Sequence, residues 1–263
     1  MIDRTNVKLN LGLNVLRRRP DGFHDLETLF VPYCGYGDDI EITENGSDVA
    51  SIEIIGDNID WDPQKDLTMK AWRLLHEDLG IPGVHICLEK HAPVGAGLGG
   101  GSADAAFTLK MLNGIFGLGL SPAGLAGYAA RLGSDCAFFI YNRPMIGEGR
   151  GEILTPCDLD LSAYEIRVEI PRGVSVSTAE AYRGVLAARE AFYAGREEPA
   201  MSLREAIALP VGQWEGRLVN DFEATIFPLH PEIAALKQKF YDEGAVYAAM
   251  SGSGSSVFGI FEK

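Results

Sequence analysis

Residues 95–101 of this 263-residue chain hold five glycines. Neither a helix interior nor a strand interior tolerates that density, because each glycine loses the most backbone entropy on ordering. The run must be a loop, and residues 103–116 behind it, rich in Ala and Leu, read as a helix. Glycine reaches positive φ and has no Cβ, so the loop can turn consecutive N–H groups toward a ligand. The helix start adds unpaired N–H donors and the positive end of a dipole. Together these specify an anion site of the phosphate-binding kind.

The formal net charge is −14 at pH 7, which argues against a nucleic-acid partner. An anionic ligand must be held by local donors against that field. Cys34, Cys87, Cys136 and Cys157 form no CxxC pair, so buried reduced thiols are expected rather than a zinc site or disulfides. No basic-then-apolar leader and no membrane-length apolar run is present, so no membrane association and cytoplasmic residence are the expectations. Monomer and homodimer both stay open.

Residues 7–16 alternate apolar and polar types over most of their length, the pattern of a strand. Arg19-Pro20-Asp21-Gly22 is turn chemistry. Strands are expected over 25–31, 39–43 and 51–55, making the first third rich in antiparallel sheet. Asp66 reads as the N-cap of a helix over 66–79, and residues 85–88 as a strand leading to the glycine loop. Ser121 and Pro122 open another helix that ends at Gly133; residues 137–140 read as a strand. Beyond these, a strand over 164–170, a helical region over 177–187 and a charged surface connection over 189–200 are expected. A helix over 231–242 and strands over 246–250 and 256–261 follow, the last two flanking Ser251-Gly252-Ser253-Gly254. The chain is expected to be α+β in two lobes, 1–155 and 156–263.

Gly95-Ala96-Gly97-Leu98-Gly99-Gly100 fits the GxGxxG of dinucleotide folds. That pattern needs a βαβ unit with an acidic residue about 20 positions on, and here two helices intervene before the next strand. A Walker A loop needs Lys-Ser or Lys-Thr after the last glycine, where Ser102-Ala103 stands. No HRD or DFG set follows, which removes the protein-kinase hairpin. A Gly-rich packing turn is the bland alternative.

The whole stretch Pro93-Val94-Gly95-Ala96-Gly97-Leu98-Gly99-Gly100-Gly101-Ser102-Ala103 resembles the central motif of the GHMP kinases. Val7-Lys8-Leu9-Asn10-Leu11 and Met250-Ser251-Gly252-Ser253-Gly254 match the family's other two motifs in order. Arg19-Pro20-Asp21-Gly22-Phe23-His24-Asp25 resembles the branch that acts on a cytidine diphosphate-linked alcohol, as do Gly133-Ser134-Asp135, Gly149-Arg150-Gly151-Glu152, Val176-Ser177-Thr178 and Asn220-Asp221. Departures are Val7 for the usual Ala, Phe23 for Tyr, Ser102-Ala103 for paired serines, Ser134 for Ala, and Cys136-Ala137 for Val-Pro.

The resemblance implies a two-lobed GHMP-kinase fold. Its N-terminal lobe would have left-handed βαβ, ribosomal-S5-like character, its C-terminal lobe would be ferredoxin-like, and a cleft would lie between them. It implies ATP-dependent phosphorylation of a hydroxyl on the methylerythritol portion of a cytidine diphosphate conjugate, a step of non-mevalonate isoprenoid precursor synthesis. A homoserine- or mevalonate-type kinase, or a non-catalytic nucleotide binder, is the alternative. By family match, Asp135 is the base that takes the hydroxyl proton and Lys8 its partner; the bland readings are a helix-capping Asp and a solvated Lys. The loop from Pro93 to Ala103 would wrap the ATP phosphates. Magnesium is implied as the ATP chelate, with no dedicated metal-ligand set. Asn10, Phe23, His24, Phe30, Thr178 and Tyr182 match substrate-binding positions, with His24 reading cytosine and Phe23 and Tyr182 stacking on it. Core packing is the bland reading for Phe23 and Phe30, an exposed strand residue for Asn10, and helix capping for Ser102.

Overall fold

The computed structural model describes residues 1–57, 59–194 and 201–263. Along the chain run β1 (Ile2–Arg4), β2 (Val7–Arg18), β3 (His24–Tyr33), β4 (Asp39–Glu44), β5 (Ser51–Ile55), α1 (Leu67–Leu79) and β6 (Val84–Glu89). Next come α2 (Gly100–Ile115), α3 (Pro122–Leu132), α4 (Cys136–Tyr141), β7 (Met145–Gly149), β8 (Ile153–Pro156) and β9 (Tyr164–Glu169). The remainder holds α5 (Thr178–Tyr182), α6 (Val185–Ala194), α7 (Leu203–Ile207), α8 (Glu223–Ile226), α9 (Pro231–Asp242), β10 (Tyr247–Met250) and β11 (Val257–Glu262).

Two compact units form, and neither is continuous in sequence. The first comprises Met1–Lys8, Pro32–Val94 and Gly99–Arg143; the second comprises Leu9–Val31, Gly95–Leu98 and Pro144–Lys263. In the first unit the sheet order is β1-β4-β6-β5. All its pairs are antiparallel except β5 with β6. That parallel pair departs from the antiparallel expectation, because α1 carries the chain across between the two strands. Ile40, Ile42, Ile86 and Leu88 bury fully on the sheet, and Ala105, Ala106, Leu109 and Leu112 on α2. The second unit holds the sheets β2-β3-β7-β8 and β10-β11-β9. One of its cores joins Leu13, Val15, Val176, Phe222, Phe240 and Met250.

Local chemistry sets several boundaries. The Asp66 carboxylate accepts from the Thr68 N–H to start α1, which ends at Gly80 in the left-handed region. Ser121 caps α3 through the Gly124 N–H, with Pro122 in the first turn. The Arg19–Gly22 turn closes with the Arg19 N–H donating to the Phe23 carbonyl at 2.7 Å, which delivers His24 to the start of β3.

Two further expectations are corrected, at residues 137–140 and at Arg189. Residues 137–140 form the middle of helix α4, not a strand. A four-residue apolar run is ambiguous by pattern, and here packing against α2 and α3 decides, burying Cys136, Ala137, Phe138, Phe139 and Ile140. β2 is buried continuously from Val7 to Val15 on both faces. Its polar residues Lys8, Asn10 and Asn14 therefore lie inside, against the bland readings of Lys8 as solvated and Asn10 as exposed. Arg189 lies within α6 rather than in a connection, and residues 195–200 of that stretch fall outside the described residues. β1, β7, β8, α7 and α8 carry too short a pattern to be read beforehand.

Candidate active site

The glycine loop takes a regular form. Gly95, Gly97 and Gly99 have φ of 72°, 77° and 74°, while the intervening Ala96 and Leu98 side chains are buried. Alternate residues thus anchor the loop and leave its backbone turned the other way. α2 starts at Gly100, earlier than the sequence indicates, with Gly99 as its N-cap and no side-chain cap. The first-turn amides, Ser102 included, keep no side-chain capping partner. Ser102 lies inside that turn and is not its cap, a place that Gly99 takes. Gly97 packs against the second glycine turn: a Cβ there would stand 2.5 Å from the Ser251 carbonyl oxygen and 2.8 Å from that of Gly254. The Ser256 N–H donates to the Ala96 carbonyl at 3.2 Å. This turn is therefore more than a plain reversal between β10 and β11; it backs the loop directly.

In the first unit Lys8 and Asp135 meet, Nζ to Oδ2, at 3.8 Å. The Lys8 side chain is 5% exposed and that of Asp135 33%. The Lys8 stem runs across the head of α2, since a Cβ on Gly99 would lie 3.3 Å from its Cγ and Cε. Burial lowers the Lys8 pKa, and the Asp135 charge works against that shift. A solvated lysine is excluded by this burial. Asp135 occupies the N-cap position of α4 but makes no side-chain capping bond, so the capping reading fails as well.

In the second unit the His24 ring stacks on Tyr182, centroids 4.7 Å apart and planes at 22°. Tyr182 in turn meets the edge of Phe222 at 4.8 Å. Burial and the Arg18 charge both lower the His24 pKa, so a neutral imidazole with one donor and one acceptor stands there. Phe23 is exposed, which removes core packing as its explanation, and Arg150 lies 5.0 Å over its ring. Phe30 is buried, its ring filling space left by Gly147. Thr178 is exposed at the first position of α5, the helix that also carries Tyr182. Asn10 is buried and donates to Thr28 Oγ1 at 2.9 Å, while its N–H donates to Ser251 Oγ at 3.1 Å. His24 and Tyr182 are thus brought together; Phe30 lies in the packing, and Phe23 pairs with Arg150.

Residues 66–143 match the family described as GHMP kinases N terminal domain, and residues 203–263 the one described as GHMP kinases C terminal. The chain belongs to the GHMP kinases. It is 47% identical over 263 residues to a 4-diphosphocytidyl-2-C-methyl-D-erythritol kinase of Parabacteroides distasonis, covering 100% of this chain and 92% of the relative. With a relative of the same description from Bacteroides fragilis the identity is 46% over 263 residues, covering 99% and 92%. A crystal structure of 4-(cytidine 5'-diphospho)-2C-methyl-D-erythritol kinase superposes with a TM-score of 0.77 at 33% identity, covering 99% and 90%. A homoserine kinase structure from Cytophaga hutchinsonii superposes at 0.73 with 19% identity, covering 99% and 86%, a likeness of fold alone. The α+β GHMP-kinase fold expected from the motifs is therefore present, and the chain is a kinase.

The GHMP loop has supports that sequence reading missed. Asp38, 0% exposed, accepts from the His91 and Ala92 N–H groups at 2.6 and 2.7 Å and from Lys90 Nζ at 2.5 Å. Lys90 also donates to Asp104 of α2 at 2.7 Å, and Thr5 Oγ1 to the other Asp104 oxygen at 3.4 Å. One buried network thereby ties the residues before Pro93 to the helix after Gly99. No sequence signal marks it, because its members lie far apart along the chain and each resembles a surface charge. Asp39, Glu89 and His91 also come within 4.8 Å of one another, but Arg4 already holds Asp39 at 3.2 Å. Among the described residues no helix is long and apolar enough to cross a membrane.

Burial pushes the Asp104 carboxyl up to about 8, with Lys90 opposing and Asp38 adding to the shift. A folded-state pKa above the unfolded one favours folding at low pH, and that stability is lost as pH rises through the folded value. Asp104→Asn lacks the loss. On moving from pH 6 to pH 9 the variant should gain on the order of 2 kcal/mol relative to wild type. Urea unfolding at the two pH values measures it, and a difference independent of pH would refute the assignment.

Proposed function

We propose that this kinase transfers a phosphoryl group from ATP to a hydroxyl of 4-diphosphocytidyl-2-C-methyl-D-erythritol, giving the 2-phosphate. The observation that carries the kinase chemistry is the buried Lys8 ammonium. The Lys8 stem crosses Gly99 at the head of α2, and its ammonium stands 3.8 Å from Asp135. The relatives at 46–47% identity support the substrate over a homoserine- or mevalonate-type acceptor. Residence in the cytoplasm belongs to the same proposal.

ATP fits the residues present. Gly95, Gly97 and Gly99 leave a backbone cradle at positive φ, and the first-turn amides of α2 have no side-chain cap. Pro93 to Ala103 bind the phosphates, and Ser102 adds a hydroxyl within that turn. A magnesium ion, when bound with ATP, neutralises phosphate charge; the oxygen donors of Ser102 and Asp135 suit such a hard cation. Asp135 takes the proton from the acceptor hydroxyl as its oxygen forms the new bond to phosphorus and the bond to the leaving ADP breaks. Lys8 stabilises charge on the attacking oxygen. Asn10 orients the acceptor side. His24 presents a donor and an acceptor to the cytosine edge, Tyr182 and Phe23 supply faces for stacking, and Thr178 completes the pocket's lining, while Phe30 stays in the packing.

Turnover of the cytidylated alcohol, followed by ADP release against the uncytidylated alcohol, homoserine and mevalonate, tests the reading. Turnover of homoserine or mevalonate in preference would overturn it. Within it, His24→Ala should raise KM for the cytidylated substrate by about tenfold or more, the worth of one lost hydrogen-bonded ring. KM for ATP should stay within about twofold; equal effects on both would count against His24 as the base reader.

A further inference from the structure

Residues 219–221 run beside β2. The Leu13 N–H donates to the Val219 carbonyl, and the Asp221 N–H to the Leu13 carbonyl, each at 2.8 Å. From this anchored stretch the buried Asn220 side chain donates twice, at 2.8 Å each, to the carbonyls of Met250 and Gly252. Its Oδ1 accepts the Phe222 N–H at 3.0 Å. The two carbonyls bracket Ser251. The Ser251 and Gly254 carbonyls are the atoms on which Gly97 rests, at distances that leave no room for a Cβ. The Gly254 N–H closes the turn onto the Ser251 carbonyl at 3.0 Å. Every residue in this chain of contacts belongs to the second unit.

We propose that Asn220 is a positioning residue for phosphate binding. It sets the Ser251–Gly254 turn, and the turn sets the curvature of the loop at Gly97. The proposal rests on the reading of that loop as the ATP-phosphate site. The chemistry calls for a planar amide, because the position needs two donors and one acceptor at once. A carboxylate of the same shape donates nothing to two carbonyls, and a hydroxyl donates once. Asn220 touches neither the phosphates nor the reacting atoms; it acts through the turn.

The test uses the full chain with Asn220→Ala and the milder Asn220→Ser, which keeps one donor. Affinities for a non-hydrolysable ATP analogue and for cytidine diphosphate are measured together with thermal unfolding. Asn220→Ala should weaken the ATP analogue about tenfold, Asn220→Ser less, and cytidine diphosphate should change by no more than about twofold in either. Combined with Gly97→Ala, Asn220→Ala should add little further loss of ATP affinity, because both act through one turn. ATP affinity within about twofold of wild type, or equal weakening of both nucleotides, would overturn the proposal. A wild-type chain that binds the ATP analogue but does not phosphorylate the cytidylated alcohol sinks the substrate reading and leaves this test intact.

Discussion

Asp135→Asn should lower kcat by roughly 10²–10⁴-fold while ATP affinity stays within about threefold of wild type. The amide keeps the shape of the carboxylate and cannot take the acceptor proton. Asp135 makes no capping bond in α4, so the substitution should cost little stability. Lys8→Met should reduce kcat on a similar scale, because it keeps the stem that lies against Gly99 and removes only the ammonium. A pH profile separates the two roles. Burial lowers the Lys8 pKa, so the wild-type rate should fall on an alkaline limb below the range of an ordinary lysine. That limb should vanish in Lys8→Met. Rapid-quench turnover and ATP titration measure both effects, and kcat within about tenfold of wild type in either variant would refute the pair.

Gly97→Ala should weaken ATP binding by more than about tenfold and destabilise the chain by about 2–4 kcal/mol. Two costs combine. At φ 77° an L-residue pays about 1–2 kcal/mol for its Cβ. The Cβ would also stand 2.5 and 2.8 Å from two backbone carbonyl oxygens, and those cannot retreat without disturbing the bonds that Asn220 makes to the turn. Gly95→Ala is the control. Its φ is nearly the same, at 72°, but nothing among the described residues lies within 4 Å of the added Cβ. It should show the conformational cost alone, about 1–2 kcal/mol. Chemical denaturation and titration with an ATP analogue distinguish them; equal losses in the two variants would mean that the turn does not constrain the loop.

How far these features could be read in advance depends on how local their causes are. Asp66, Ser121 with Pro122, and Pro231 mark helix starts because a cap needs only its own three or four neighbours. The Arg19–Gly22 turn and the glycine loop are local in the same sense. The apolar run at 137–140 was not decidable, since strand and helix both accept four apolar residues and the partners α2 and α3 chose the helix. Strand spacing alone leaves Lys8 and Asn10 open between a buried site and a wet face. Their burial depends on what covers β2, which no spacing along the strand records. Asp38, Lys90 and Asp104 carry no local mark for the same reason, and neither does the work of the Asn220 amide.

The sequence by itself determined that the glycine run makes a loop leading into a helix, that such a loop suits phosphate, and, through its ordered motifs, that the chain is a GHMP kinase. Backbone preferences, caps and turn chemistry act over a few residues and are written there. Only the tertiary structure decided that the Lys8 stem crosses Gly99 and its ammonium meets Asp135, that His24 stacks on Tyr182, and that Asn220 holds the turn beneath Gly97. Burial, charge pairing and close approach are properties of what packs against a residue, and they exist only once distant segments have come together.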